Sequence, residues 1–172
     1  MNISMGKVVV VFILLASVAA GAGLYYLQVY GYYEEVAEAE VRLVVNASGQ
    51  SETIAASAIE AIDADSSPIR YRACFATDLS LEAAAAAYAP AEKAVPRNAP
   101  GWFSCFDADA IGAALKAGTA QAFLSEKNIH FGVDRVVALT VDGRGYVWHE
   151  LNECGAKAYD GTIVGEECPK RD

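Results

Sequence analysis

Charge is missing from one end of this chain. From Val8 to Leu27, twenty consecutive residues carry none. At 1.5 Å per residue such a run crosses a bilayer as a helix. Basic residues are scarce everywhere, with 13 Lys and Arg against 22 Asp and Glu. With Lys7 set aside, the part beyond the run holds 12 basic and 22 acidic residues, a net charge of −10. Nucleic acid and anionic lipid surfaces are recognised through a basic footprint, so both are disfavoured as partners of that part.

Catalytic signatures are absent too. The chain has no Gly-x-Ser-x-Gly or Ser-x-x-Lys nucleophile pattern, so Ser104 and Ser125 lack a sequence-level activator. No phosphate loop or dinucleotide fingerprint occurs, because Gly143 and Gly145 sit in a hairpin and open no helix. His149-Glu150 starts like a zinc-protease motif, but Glu153 stands where the second histidine belongs. Neighbouring strand residues also point to opposite faces, which separates His149 from Glu150 as a catalytic pair. The carboxylate pairs Asp63/Asp65 and Asp107/Asp109 lack the Gly and distal Glu of a calcium loop and read as a turn and a helix cap. No catalytic residue, cofactor or metal ligand is assigned from these patterns.

What the chain does have begins with its apolar run. Apolar residues continue past Ala20-Gly21-Ala22, the one plausible cleavage site, as Leu24, Tyr25, Tyr26, Leu27 and Val29. The span is then closer to ~20 residues than to the ~7–15 of a signal core, which favours a permanent anchor over a cleaved signal. Five tyrosines between Tyr25 and Tyr33 read as an aromatic belt. Lys7 before the run and Glu34, Glu35, Glu38 and Glu40 after it keep the short end cytoplasmic and export the remainder. Ser17/Gly21 and Ala16/Ala20 follow small-xxx-small spacing, so Ser17, Ala20 and Gly21 are the expected face for packing against another helix.

The 139 residues after Tyr33 suffice for one domain. Its four cysteines, Cys74, Cys105, Cys154 and Cys168, imply disulfides in an oxidising compartment, with three possible pairings. The local closures Cys74–Cys105 and Cys154–Cys168 are expected, each contributing about 3 kcal/mol. Metal binding with His130 and His149 is the rival, but separations of 31 and 14 residues match no common zinc pattern.

Elements can be placed along this part. The segment from Glu34 to Glu40 reads as a helical extension or stalk. Arg42 to Val45 reads as a short strand, and Thr53 to Ile62 is ambiguous between helix and strand. Ile69, Tyr71, Ala73 and Phe75 alternate with Arg70, Arg72 and Cys74, a strand with an arginine face. Ser80 caps a helix over 81–89 stopped by Pro90, and Asp107 caps a second over 108–117 that ends at Gly118. Strands follow at 120–124, 133–141 and 146–151, the last two joined by the Asp142–Gly145 hairpin. The sum is an α+β fold: a small antiparallel sheet with two short helices, preceded by one N-terminal transmembrane helix.

Four residues stand out for binding. Arg70 and Arg72, on the strand face away from the core, present guanidinium forks to a carboxylate, with the domain's own acids as competing partners. Trp102 and Trp148, with Phe103, Phe106 and Tyr146, are either interface anchors or core.

Three stretches occur together with the anchor: Ala61-Ile-Asp-Ala-Asp-Ser-Ser-Pro-Ile-Arg-Tyr-Arg-Ala-Cys-Phe75, Asn98-Ala-Pro-Gly-Trp-Phe-Ser-Cys-Phe-Asp-Ala-Asp-Ala-Ile111 and Gly143-Arg-Gly-Tyr-Val-Trp-His149. The chain resembles, over nearly its whole length, a family of short, single-pass, uncharacterised membrane proteins of alphaproteobacteria. The resemblance implies a bacterial inner-membrane protein facing the periplasm, and it transfers no catalytic residue. It also makes the Asn46-Ala47-Ser48 sequon irrelevant. The expected division is a cytoplasmic tail (1–7), a transmembrane helix (8–29), a stalk (30–40) and a periplasmic α+β domain (41–172). The expected function is that of a non-enzymatic, membrane-anchored accessory or assembly subunit, whose partners are an inner-membrane protein complex and the lipid bilayer. The alternatives are a ligand-binding sensor module signalling through a partner, because seven residues leave no room for an output domain, and an enzyme using Asp63, Asp65 or His149 without a recognisable motif.

Overall fold

The computed structural model describes residues 4–37, 39–165 and 168–169. Part of the expected tail (1–3), Glu38 of the expected stalk, and the last three residues of the chain lie outside the described residues. The chain forms two units, divided between Tyr33 and Glu34.

The first unit is helix α1, Met5–Tyr26, continued by a wider π turn at Leu27–Gly31. Together they make a 27-residue helical segment, long enough to cross a membrane, with a mean hydropathy of 2.4 over its most apolar 18 residues. At 1.5 Å per residue it extends about 40 Å. No residue of α1 is buried. The Ser17 hydroxyl donates to the Ile13 carbonyl at 2.8 Å, so the polar group on the small-residue face is satisfied within its own helix.

The second unit opens directly as strand. Glu34–Glu35 (β1) pairs with β4 (Ser57–Asp63), where a helical extension or stalk was expected. The strands β5 (Arg72–Ala76), β6 (Ala120–His130), β7 (Val133–Thr140) and β8 (Arg144–Leu151) complete a six-stranded antiparallel sheet of order β1-β4-β5-β8-β7-β6. A separate two-stranded sheet pairs β2 (Arg42–Val44) with β3 (Ser51–Thr53). The ambiguous stretch 53–62 is therefore the end of β3 followed by most of β4.

Both faces of the large sheet are covered. One transverse row runs Ala61, Ala73, Val147, Val137, Phe123 across five strands, and all are buried. It packs with Leu43 of the small sheet, with Ile54 just after β3 and with Ala84 of α2 (Leu81–Ala87). The next row, on the opposite face, runs Ile62, Arg72, Trp148, Val136, Leu124. This face is covered by the loop after α2 and held to it by the Cys74–Cys105 disulfide. Phe106 from that loop meets Tyr146 and Trp148 edge-on, with ring centroids 5.9 and 6.3 Å apart. Buried on two sides, β8 shows no polar-out alternation: its six central residues are all buried.

Local chemistry sets the helix limits. Ser80 Oγ accepts from the Ala83 amide, and Asp107 Oδ1 accepts from the Asp109 and Ala110 amides at 3.0 Å. Gly118 ends α3 (Ala108–Ala117) at φ 73°, the left-handed conformation glycine adopts without strain. Helix α2 stops two residues earlier than expected, because Tyr88 turns to pair with Val45 and Pro90 with Phe123. Both expected disulfides, Cys74–Cys105 and Cys154–Cys168, are present.

Candidate functional site

Arg72 is the main correction to the sequence reading. It begins β5 in the middle of an apolar row, 4% exposed, so the face away from the first core is a second core. Its guanidinium donates to the carbonyls of Ile69, Tyr71, Arg97 and Asn98 and lies over the Phe106 ring. Those bonds gather the loop around residues 97–98 and the turn before β5. A buried cation is tolerated because several donors are matched. It is a structural clamp and not a fork offered to a partner. Arg70 precedes β5, half-buried, and its amide bonds back to the Ser67 carbonyl in the preceding turn.

Trp148 lies beside Arg72 with no exposed surface, and its Nε1 has no partner among the described residues. It is core. Trp102 is 40% exposed and meets Phe103 edge-on. Of the four residues singled out for binding, Trp102 alone combines a large aromatic surface with solvent access.

His149 and Glu150 do point to opposite faces, and each is engaged. On the first face, Arg135 Nε donates to His149 Nε2 at 3.1 Å, so Nδ1 carries the proton and donates to the Pro68 carbonyl at 2.6 Å. The imidazole stacks on Tyr71 at 5.0 Å, with His130 edge-on at 5.8 Å. Burial, with smaller contributions from nearby Arg135, His130 and Arg72, pushes its pKa down to about 4. At 1% exposure this neutral ring offers no substrate access. On the second face, buried Glu150 accepts from Arg97 Nη2 at 2.6 Å, from the Val95 amide at 3.0 Å and from its own following amide. Arg97 and Arg135 escaped sequence reasoning: Arg97 lies in a proline-rich loop without periodicity, and Arg135 sits inside a β-branched run.

Concave regions among the described residues reach the surface. A cleft of about 670 Å³ opens beside the C-terminal tail, with Lys93, Lys127, Asp134, Glu150, Glu153 and Val164 among its walls. Its charges are engaged internally. Lys93 pairs with Glu153 at 2.5 Å, Glu150 with Arg97, and Asp134 accepts from the Asn128 amide and from Asn152 Nδ2. The second region is a groove of about 490 Å³ at the β1–β4 edge, floored by Val36, Ala37, Ile59, Ile62, Trp102 and Phe103. It continues into a neighbouring hollow of about 420 Å³ through Val36, Ala37 and Ile59. Glu35 and Glu60 line the groove, and Glu40 lines the hollow. Among the described residues no basic one borders either. Among the described residues no group of three or more His, Cys, Asp or Glu is placed to hold a metal.

These features define a class: a disulfide-bonded α+β domain that follows an apolar helix of membrane-spanning length and offers surfaces for contact. Within that class the chain belongs to a family of unknown function, DUF6446, matched over residues 41–169. That agrees with the resemblance to an uncharacterised family. Neither the curated proteins nor the solved structures contain a match to it.

Proposed function

We propose that this protein is a membrane-anchored, non-enzymatic domain on the periplasmic side of a bacterial inner membrane, acting as an accessory or assembly subunit of a membrane protein complex. The observation that carries this reading is the N-terminal helix, apolar and long enough to cross a membrane, in which no residue is buried, so that it requires lipid or another helix around it. Lys7 in the first turn of the helix, before its uncharged run, and the acidic residues after it support the orientation. The two disulfides support an oxidising compartment. His149, one of the three residues the enzymatic alternative could use, is buried and held by hydrogen bonds to Arg135 and Pro68.

Extraction in mild detergent, followed by native-size analysis and mass spectrometry, tests the proposal. Co-migration with an integral membrane protein is expected. A chain that leaves the membrane at alkaline pH, or that migrates as a lone monomer, overturns it. Helix packing through Ser17, Ala20 and Gly21 belongs to the same reading: replacing Ser17 and Gly21 together by Leu is expected to weaken the association.

A further inference from the structure

We infer that the acid-rimmed groove at the β1–β4 edge is the docking surface for a basic segment of a partner membrane protein, one that carries Lys or Arg beside an aliphatic or aromatic side chain. The inference rests on the accessory-subunit reading and assigns it a surface.

Three observations converge on that occupant. The floor is apolar and holds half-exposed Trp102, an aromatic of the kind that anchors interfaces. The rim carries Glu35, Glu60 and Glu40, and among the described residues no ion pair joins them to a cation of this chain. The Glu40 carboxylate accepts only from the Thr53 hydroxyl at 3.3 Å. The strand pair that carries Glu35 also sets Glu34 directly across from Asp63, on the sheet face opposite Glu35 and Ile62. Like charges in that register repel, and the potential they create draws a cation.

The same charges select against other occupants. An anionic lipid headgroup meets a negative rim, and a second copy of this chain brings an identical one. The strand edge itself is guarded. A bulge in β4 between Ser57 and Glu60, with Ala58 at φ 49°, interrupts its pairing with β5 and bends the stretch to which a foreign strand would add. Recognition therefore runs through side chains, with the apolar residue against Trp102 and Ile59 and the basic ones against the rim.

The test is site-specific photocrosslinking of the full-length chain in its native membranes. Benzoylphenylalanine replaces Ser104, an exposed residue lining the groove, and in a control replaces Glu82 on α2. The expected result is an adduct from position 104 and not from 82, whose linked peptide, read by mass spectrometry, contains Lys or Arg next to a large apolar residue. Glu35→Lys with Glu60→Lys is expected to cut the yield about tenfold, while Asp160→Lys in the tail leaves it unchanged. Both rim residues are exposed, and an unaltered melting temperature shows that the double variant is folded. An adduct to a second copy, to lipid, or to an acidic or uncharged segment overturns the inference. So does no adduct, or one indifferent to the charge reversal. A complex that persists on native gels despite such a result removes the groove and leaves the accessory reading standing; a lone monomer removes that reading as well.

Discussion

At the scale of single residues, the polar groups inside this domain act as fasteners, and His149 is the one whose strength depends on pH. Its pKa lies near 4 in the fold, against about 6.5 in an unfolded chain. Between those values the unfolded state binds the extra proton, so stability rises with pH across the window and is lost as pH falls from 6.5 toward 4. The size is about 3 kcal/mol at the acid end. Protonation would put an N–H on Nε2, facing the Arg135 N–H that it accepts from now. Urea unfolding between pH 7.5 and 4 is expected to show this loss in the native sequence and a shallower dependence in His149→Gln. Equal slopes in the two proteins would contradict the assignment.

At the scale of elements, much was legible because local rules govern. Ser80, Asp107 and Gly118 cap or end helices through bonds that span two to four residues, so position alone reveals them. The β7–β8 hairpin was legible from Asp142-Gly143. The arginine face was misread for a non-local reason. Alternation in β5 shows that its two faces differ, but not that the loop carrying Arg97, Asn98 and Phe106 returns across the chain to bury the second one. Glu34–Glu35 was misread similarly, since two glutamates gain strand geometry only from β4 beside them. Of the candidate site, Trp102 was visible as an aromatic in a loop, whereas its groove is assembled from three separate stretches. Gly145 gives the element scale its own prediction. It sits across from Phe75, and a Cβ there would fall inside the phenylalanine ring. Gly145→Ala is expected to destabilise the domain by about 3 kcal/mol, the upper range for overpacking. Adding Phe75→Leu should restore part of that in a thermal melt.

At the scale of the whole molecule, the two disulfides differ in what they hold. Cys74–Cys105 ties the covering loop to a central strand, whereas Cys154–Cys168 closes a tail whose Tyr159, Ile163 and Val164 are exposed. Cys105→Ser is therefore expected to cost about 3 kcal/mol of global stability. Cys154→Ser with Cys168→Ser should cost under about 1 kcal/mol, because a peripheral segment opens without the rest. Denaturant titration of the two variants separates them, and equal losses would show that the tail is part of the cooperative unit.

The strand order has one more consequence, and it concerns time. Strand β5 receives β4 on one side almost at once, but 67 residues lie between its end and the start of its other neighbour, β8. At roughly 5–20 residues per second of synthesis, that side of β5 stays open for roughly 3–13 s while the chain lengthens. During this interval Arg72 has no sheet to complete and Cys74 no settled partner. The nascent chain thus carries an incomplete hairpin through its own making, and the last strand to arrive is the one that turns it into a sheet.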